Sequence, residues 1–337
     1  MAPSNDSLYA ILFCFKERVN KMRLSRLNIK KINLNDIDSD YSGQDILMKL
    51  GELYQFESGI YGYGNLWTKL ERAVENIIIE ELDKAGCIQV EFPKLQPRKI
   101  WDQSGRWNTY TKDGDIMFTI KNNLGEYGAI TNLGEDKTLY DEEKNIGINK
   151  EVLEFENKDE YLKQLGVSNI VGLKEYNTVE LGNNFQLGTK YSDSFGLFYM
   201  DENNEKKPYY MGCYGIGLGR IIACLIENNV IKENDKIKGF ALPYDIASYK
   251  VQIIYNENNK EEGEKLYNYL LQNNINAIID DRENLNIGNR INDVYVLGTP
   301  KMIILGTKFD GTNYEVEDTK TNKKEIVNID NIINILK

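Results

Sequence analysis

Ten residues, Met211–Arg220 with the sequence MGCYGIGLGR, constrain this chain more than any other stretch. Glycine recurs at alternate positions, Gly215, Gly217 and Gly219, and the apolar run Ile221, Ile222, Ala223, Cys224, Leu225, Ile226 follows at once. The pattern predicts a strand that runs into a helix, with side chains removed where another group must come close to the backbone. Arg220 then falls in the first turn of the helix, at the positive end of its dipole. A planar guanidinium there is placed to fork onto phosphate oxygens. Taken alone, such a junction is more often a packing device than a nucleotide site, so its neighbours decide.

The residues before it read as antiparallel sheet. From Val179 the pattern is strand-like, with Phe185–Gly188 and Phe195–Met200 flanking Thr189-Lys190-Tyr191-Ser192, and Asp201–Lys207 as a charged hairpin turn. Arg220 therefore follows antiparallel strands and not a βαβ crossover, which disfavours a dinucleotide-binding fold. Further upstream, Leu66, Leu70, Ala73, Val74, Ile77, Ile78, Leu82 and Ala85 recur at helical spacing, predicting a helix over Asn65–Ala85 that Gly86 stops. Cys87–Phe92 alternates as a strand that Pro93 ends. Asp115–Ile120 and Gly128–Asn132 read as strands around a turn at Asn122–Gly125. Lys144–Gly166 reads as polar loop and helix with Tyr161, Leu162 and Leu165 on its buried side.

A boundary falls near Pro243–Ser248. Beyond it strands at Tyr249–Tyr255, Ile275–Ile279 and Met302–Leu305 alternate with helices at Lys260–Gln272 and Ile287–Leu297. Edge strands at Tyr314–Val316 and Glu325–Val327 and a helix at Ile329–Leu336 close the chain. This alternation predicts a small α/β domain with a mostly parallel sheet. With 337 residues, two domains can each bury a core.

A net charge of −11 argues against a generic nucleic-acid binder and leaves room for a local basic groove. Cys14, Cys87, Cys213 and Cys224 lack metal-type spacing, and the chain has no histidine. That excludes His-dependent triads and His-ligated metals, and predicts no metal held by protein ligands; the thiols read as reduced, in a cytosol-like compartment. No run is long enough to span a bilayer. Leu8–Phe15 is apolar, but Asp6 precedes it and no cleavage site follows, so a signal peptide is not expected. An organellar transit segment, or an upstream start with Met22 as the alternative, stays open.

Together these stretches resemble the class II aminoacyl-tRNA synthetases, and among them the bacterial-type prolyl-tRNA synthetases. MRLSR at Met22 resembles the family's start, and SGIYGYG at Ser58–Gly64 its first approach to the active site. The long helix with VEFPKLQP and IWDQSGRW resembles the first class II motif. FQLGTKYS at Phe185–Ser192 and MGCYGIGLGR resemble the segment leading to, and forming, the third. IIDDRENLNIGNRINDVYVLGTPKMIILG resembles the anticodon-binding domain.

The resemblance implies an α+β class II core, an antiparallel sheet with flanking helices over residues 22–245, and a C-terminal α/β anticodon-binding domain over 246–337. Residues 1–21 would be an extension. It implies ATP-dependent activation of proline and transfer of the prolyl group to tRNA(Pro), in the cytoplasm, by a homodimer whose interface includes Pro93. Arg220 would grip the terminal phosphate of magnesium-bound ATP. Asn183, Phe185, Cys213 and Gly215 would line the amino-acid pocket, and Gly215, Gly217 and Gly219 would admit the nucleotide. Arg282, Arg290 and Lys301 would face an anticodon loop; their alternative is to be solvated surface charges.

Two departures stand against the family pattern. Asn183 occupies the place of a histidine, and an amide donates and accepts like a neutral imidazole but with different reach. The second class II motif and the editing insertion are absent: KNNLGEYG passes directly to AITNLGEDKTLY. With that motif goes the arginine expected at the α-phosphate, for which Arg106 and Lys121 are the nearby substitutes. Three readings follow: a compact ligase, a catalytically inactive relative that binds tRNA or a partner, and an incomplete gene product.

Overall fold

The computed structural model describes residues 22–27, 34–37, 41–57, 59–93, 97–105, 123–132, 134–167 and 169–336. The expectations for residues 1–21, for the strand at Asp115–Ile120, and for Arg106 and Lys121 lie outside the described residues. In chain order the elements begin with α1 (Gly43–Leu50), β1 (Leu53–Glu57), β2 (Ile60–Tyr63), α2 (Asn65–Lys84) and α3 (Arg98–Gln103). There follow β3 (Asn123–Ile130), β4 (Asp136–Asp141), β5 (Ile146–Asn149), α4 (Lys158–Gln164), β6 (Lys174–Gly188), α5 (Lys190–Phe195), β7 (Phe198–Met200) and β8 (Lys206–Pro208). Next are β9 (Met211–Ile216), α6 (Leu218–Glu227), β10 (Val230–Glu233), β11 (Lys236–Phe240) and β12 (Val251–Tyr255). The last are α7 (Lys260–Gln272), β13 (Ala277–Asp280), α8 (Ile287–Val296), β14 (Lys301–Leu305), β15 (Asn313–Asp318), β16 (Lys324–Asn328) and α9 (Ile329–Leu336).

The chain forms two contact units, one of residues 1–76 with 222–337 and one of residues 77–221. In the first, Ser42 caps α1: its hydroxyl accepts from the Asp45 amide while the Asp45 carboxylate accepts from the Ser42 amide. Gly51, at φ 70°, ends that helix. Glu52 Oε2 accepts from the Leu66 and Trp67 amides at 2.8 and 3.3 Å, capping α2 from a distance in sequence. Ile46, Leu47, Leu66, Leu70, Ile222, Ile226, Phe240 and Leu242 pack as one core.

The sheet of the same unit has the order β13-β12-β14-β15-β16. β12 is parallel to β13 and β14, while β14–β15 and β15–β16 are antiparallel. The sheet is thus mixed where mostly parallel pairing was expected, because the last two strands return through hairpin-type connections that need no crossover helix. Leu266, Tyr267 and Leu270 of α7 and Ile332 and Leu336 of α9 cover one face; Val294 of α8 packs with Ile254 and Met302 on the other.

In the second unit β6 is the organising strand, pairing antiparallel with β3, β4 and β9. Four local expectations are corrected. Cys87–Phe92 is exposed coil, because none of the described strands pairs with it. Residues 123–125, read as a turn, already belong to β3 and pair with β6. Lys190–Phe195 is a helix, ended by Gly196 at φ 64°. Leu165 is exposed, and the hairpin β4–β5 takes up the start of the polar segment.

Candidate functional site

The site is built on the β6–β9 pair. Register sets Gly182 opposite Ile216, Asn183 opposite Gly215, Asn184 opposite Tyr214 and Phe185 opposite Cys213. Two segments far apart in sequence, each expected to line one pocket, are therefore adjacent strands. Gly182 permits this: a Cβ there would stand 2.9 Å from the Gly215 carbonyl oxygen, closer than real Cβ atoms come. Gly215 has open space around the position of a Cβ, so the strand leaves room where the pocket was expected. Gly217, between β9 and α6, donates its amide to the Leu181 carbonyl at 2.7 Å.

Arg220 sits in the first turn of α6 with its side chain 56% exposed. Its Nη1 donates to the Glu180 carbonyl oxygen at 2.8 Å, and the Glu180 carboxylate lies 3.9 Å away. The same carboxylate accepts from Asn183 Nδ2 at 3.3 Å. Glu180 thus joins the arginine to the amide that replaces histidine, a role the sequence reading missed. The signal was present: Gly182 inside a strand pattern marks a bulge. Pairing with β3 indeed skips Leu181, so Gly128 pairs with Glu180 while Tyr127 pairs with Gly182. One extra residue changes the side-chain parity of a strand, which is how residues three apart reach each other here.

Asn183 is buried, and its Oδ1 has no hydrogen-bond partner. A buried polar atom left unpaired is costly and marks this oxygen, like Oδ1 of the neighbouring Asn184, as an acceptor awaiting a donor. Cys213 is exposed on β9. Cys224, one turn beyond Arg220, is buried, and burial with the nearby Glu227 pushes its thiol up to about 11, so it is inert packing.

Of the three cations expected to face an anticodon loop, Arg290 and Arg282 are largely enclosed. Arg290 is 2% exposed; its Nη1 donates to the Tyr255 carbonyl at 2.7 Å, its Nη2 to the Asp280 carbonyl, and its Nε lies 3.3 Å from the Asp280 carboxylate. A group so enclosed cannot reach an anticodon loop, and its placement there is corrected to a strut inside the domain. Arg282 forks onto Asp280 at 2.7 and 3.0 Å and reaches Asp293 at 2.5 Å. Burial works to lower its pKa, but the hydrogen bonds to Asp280 and Asp293 outweigh it and hold the guanidinium above its ordinary value. Lys301 pairs with Asp318 at 3.0 Å. Pro93 is exposed, beside Ile88, Val90 and Phe92, which are 86%, 64% and 75% exposed.

The chain matches the tRNA synthetase class II core domain (G, H, P, S and T) over residues 12–229, well over half its length, and belongs to that family. Residues 250–337 match the anticodon binding domain.

The relatives it matches are proline–tRNA ligases. It is 40% identical over 159 residues to the proline–tRNA ligase of Aliarcobacter butzleri, covering 46% of this chain and 27% of the relative. It thus spans about a quarter of that protein and of similar ligases from Thermoanaerobacter and Thermosipho africanus. To the proline–tRNA ligase of Rickettsia bellii it is 23% identical over 430 residues, covering 90% of this chain and 98% of the relative. That comparison is longer than the 337-residue chain itself, so the relative carries segments with no counterpart here. The fold of the Cryptosporidium parvum prolyl-tRNA synthetase, solved with L-proline and AMP, matches with a TM-score of 0.58 at 16% identity, over 87% of this chain and 77% of that one. Among the described residues no helix is long and apolar enough to cross a membrane.

Proposed function

We propose that this chain is a proline–tRNA ligase, which activates proline with ATP and transfers the prolyl group to tRNA(Pro). The observation that carries the reading is the β6–β9 register, which sets Asn183 and Phe185 against Gly215 and Cys213, with Arg220 tied to the same strand through Glu180. Activation asks the protein to position a carboxylate against a phosphate and to offset charge, and those demands fall on these residues. Arg220 would leave Glu180 for the terminal phosphate of ATP; Gly217 and Gly219 would let the adenine lie close. The unpaired Asn183 Oδ1 would accept from proline or orient its neighbours in the pocket. Magnesium would arrive bound to ATP and offset phosphate charge; among the described residues no cluster of acidic or thiol groups could hold a metal by itself. Residues 246–337 would carry the anticodon contacts, with Lys301 as the remaining candidate of the original three, and a cytoplasmic location accords with this work.

The exposed apolar row Ile88, Val90 and Phe92 before Pro93 supports a homodimer, since a segment that pairs with none of the described strands can take a partner from a second copy. Sedimentation at micromolar concentration should then show twice the 38.9 kDa chain mass, and a monomer would count against it.

Proline-dependent ATP–pyrophosphate exchange tests the catalytic reading. Exchange should be measurable in the parent and fall on the order of a hundredfold or more in Arg220→Ala. No exchange in the parent, with tRNA(Pro) still bound, would put the catalytically inactive binder in its place.

A further inference from the structure

The motif Met22–Arg26, MRLSR, takes no part in the β6–β9 site; it is built into the C-terminal domain. Arg23 forms a parallel bridge with Ile279, extending the sheet past its edge strand β13. Leu24 is fully buried against Tyr249, Ile278 and Leu297. Arg23 forks onto Glu264 at 2.5 and 2.8 Å, and its guanidinium lies 3.9 Å from Asp281. The Ser25 amide and hydroxyl both donate to the Asp281 carboxylate, at 3.0 and 2.8 Å, and the Tyr267 hydroxyl donates to the Met22 carbonyl at 2.9 Å.

The charges at this corner say what the docking does. Glu264 on α7 and Asp281 and Glu283 after β13 place three carboxylates together, and the domain's own cation there is Lys260, 2.6 Å from Glu283. The neighbouring set Asp280, Asp293, Arg282 and Arg290 neutralises itself. Without the amino-terminal segment the corner is anionic and repels a polyanion. Arg23 offsets Glu264 and Asp281, and Arg26 adds a second cation on the same segment. Arg26 is exposed and makes no ion pair among the described residues, so its guanidinium is free for an outside phosphate.

We propose that Met22–Leu27 completes an RNA-contacting edge of the C-terminal domain, with Arg23 offsetting the acidic corner and Arg26 presented to the tRNA backbone. This rests on the reading of that domain as one that binds tRNA. The uncommitted Arg26 guanidinium, on a segment held to the domain by Arg23, Leu24 and Ser25, suits a phosphate and gives a sequence-independent contact.

The test titrates a tRNA(Pro) transcript into the full chain and into Arg26→Ala, Arg26→Lys and Arg26→Glu at 50 and 200 mM salt. Arg26→Glu should bind about tenfold more weakly at the lower salt, with a salt slope smaller by about 1, and Arg26→Lys should bind almost as the parent. All variants should melt with the parent, since Arg26 holds no structural bond. Should Arg26→Glu melt early, weaker binding by Arg26→Ala than by Arg26→Lys carries the test. Equal affinity in parent, Ala and Glu variants would overturn the inference and leave the ligase reading standing, because the parent still binds. A parent that binds no tRNA would overturn both the inference and the tRNA part of that reading.

Discussion

Among the described residues the C-terminal sheet and the sheet that carries Asn183 and Gly215 each have five strands, yet they end differently. In the first, every residue of β12 and β13 is buried, with α7 and α9 on one face and α8 on the other. In the second, β9 is exposed at five of its six positions, and Tyr210 and Tyr214 stand largely in solvent. The same contrast holds for arginine: Arg290 is enclosed and held by two backbone carbonyls and an ion pair with Asp280, whereas Arg220 is more than half exposed and loosely held by Glu180. One sheet is completed by its own chain. The other leaves a strand exposed and a cation loosely held, as the proposed ligand surface requires.

Arg290→Ala should strain this contrast most. Removing the guanidinium leaves the Asp280 carboxylate buried with one partner fewer, and stability to urea should fall by about 3–5 kcal/mol. Arg220→Ala, by comparison, should move the same transition by less than about 0.5 kcal/mol, because exposed ion pairs contribute little. Equal losses in the two variants would erase the distinction drawn here.

Gly182→Ala comes next. The added methyl meets the Gly215 carbonyl, so β9 must shift away from β6, at a cost of about 1–3 kcal/mol. Pyrophosphate exchange should fall with it, since the displaced strand carries Cys213 and Gly215. An alanine variant with parental melting and parental exchange would show that the close approach is not needed.

The smallest effect is expected at Glu52, on the packed side of the comparison. Burial raises its pKa, against the lowering effect of the Trp67 and Leu66 amides. Folded Glu52 therefore holds its proton more tightly than the unfolded chain does. Its contribution to stability is full below the unfolded carboxylate range and declines as pH rises through the raised folded value. Glu52→Gln keeps an oxygen for the helix amides without that decline. The stability of parent minus variant should drop within about 1 kcal/mol from about pH 4 upward, read from unfolding curves across pH. A difference that grows with pH would reverse the assignment.

Local pattern made most elements legible. The helices at Lys260–Gln272 and Ile329–Leu336 lie where apolar spacing places them, and Gly86, at φ 80°, stops the long helix. The glycine-rich strand, the helix after it and Arg220 in its first turn follow from ten residues. Such features depend on neighbours within one or two turns, and the sequence holds those neighbours in order. Whatever required a distant partner was not legible. Cys87–Phe92 alternates like a strand and pairs with none of the described strands. Arg282 and Arg290 look like surface cations and are held by Asp280 and Asp293. Glu180 looks like any strand acid and ties Arg220 to Asn183. The sequence by itself determined periodicity, helix stops and the family motif, because these are local; only the tertiary structure decided register, burial and ion pairing, because each depends on which remote residue arrives within about 3 Å.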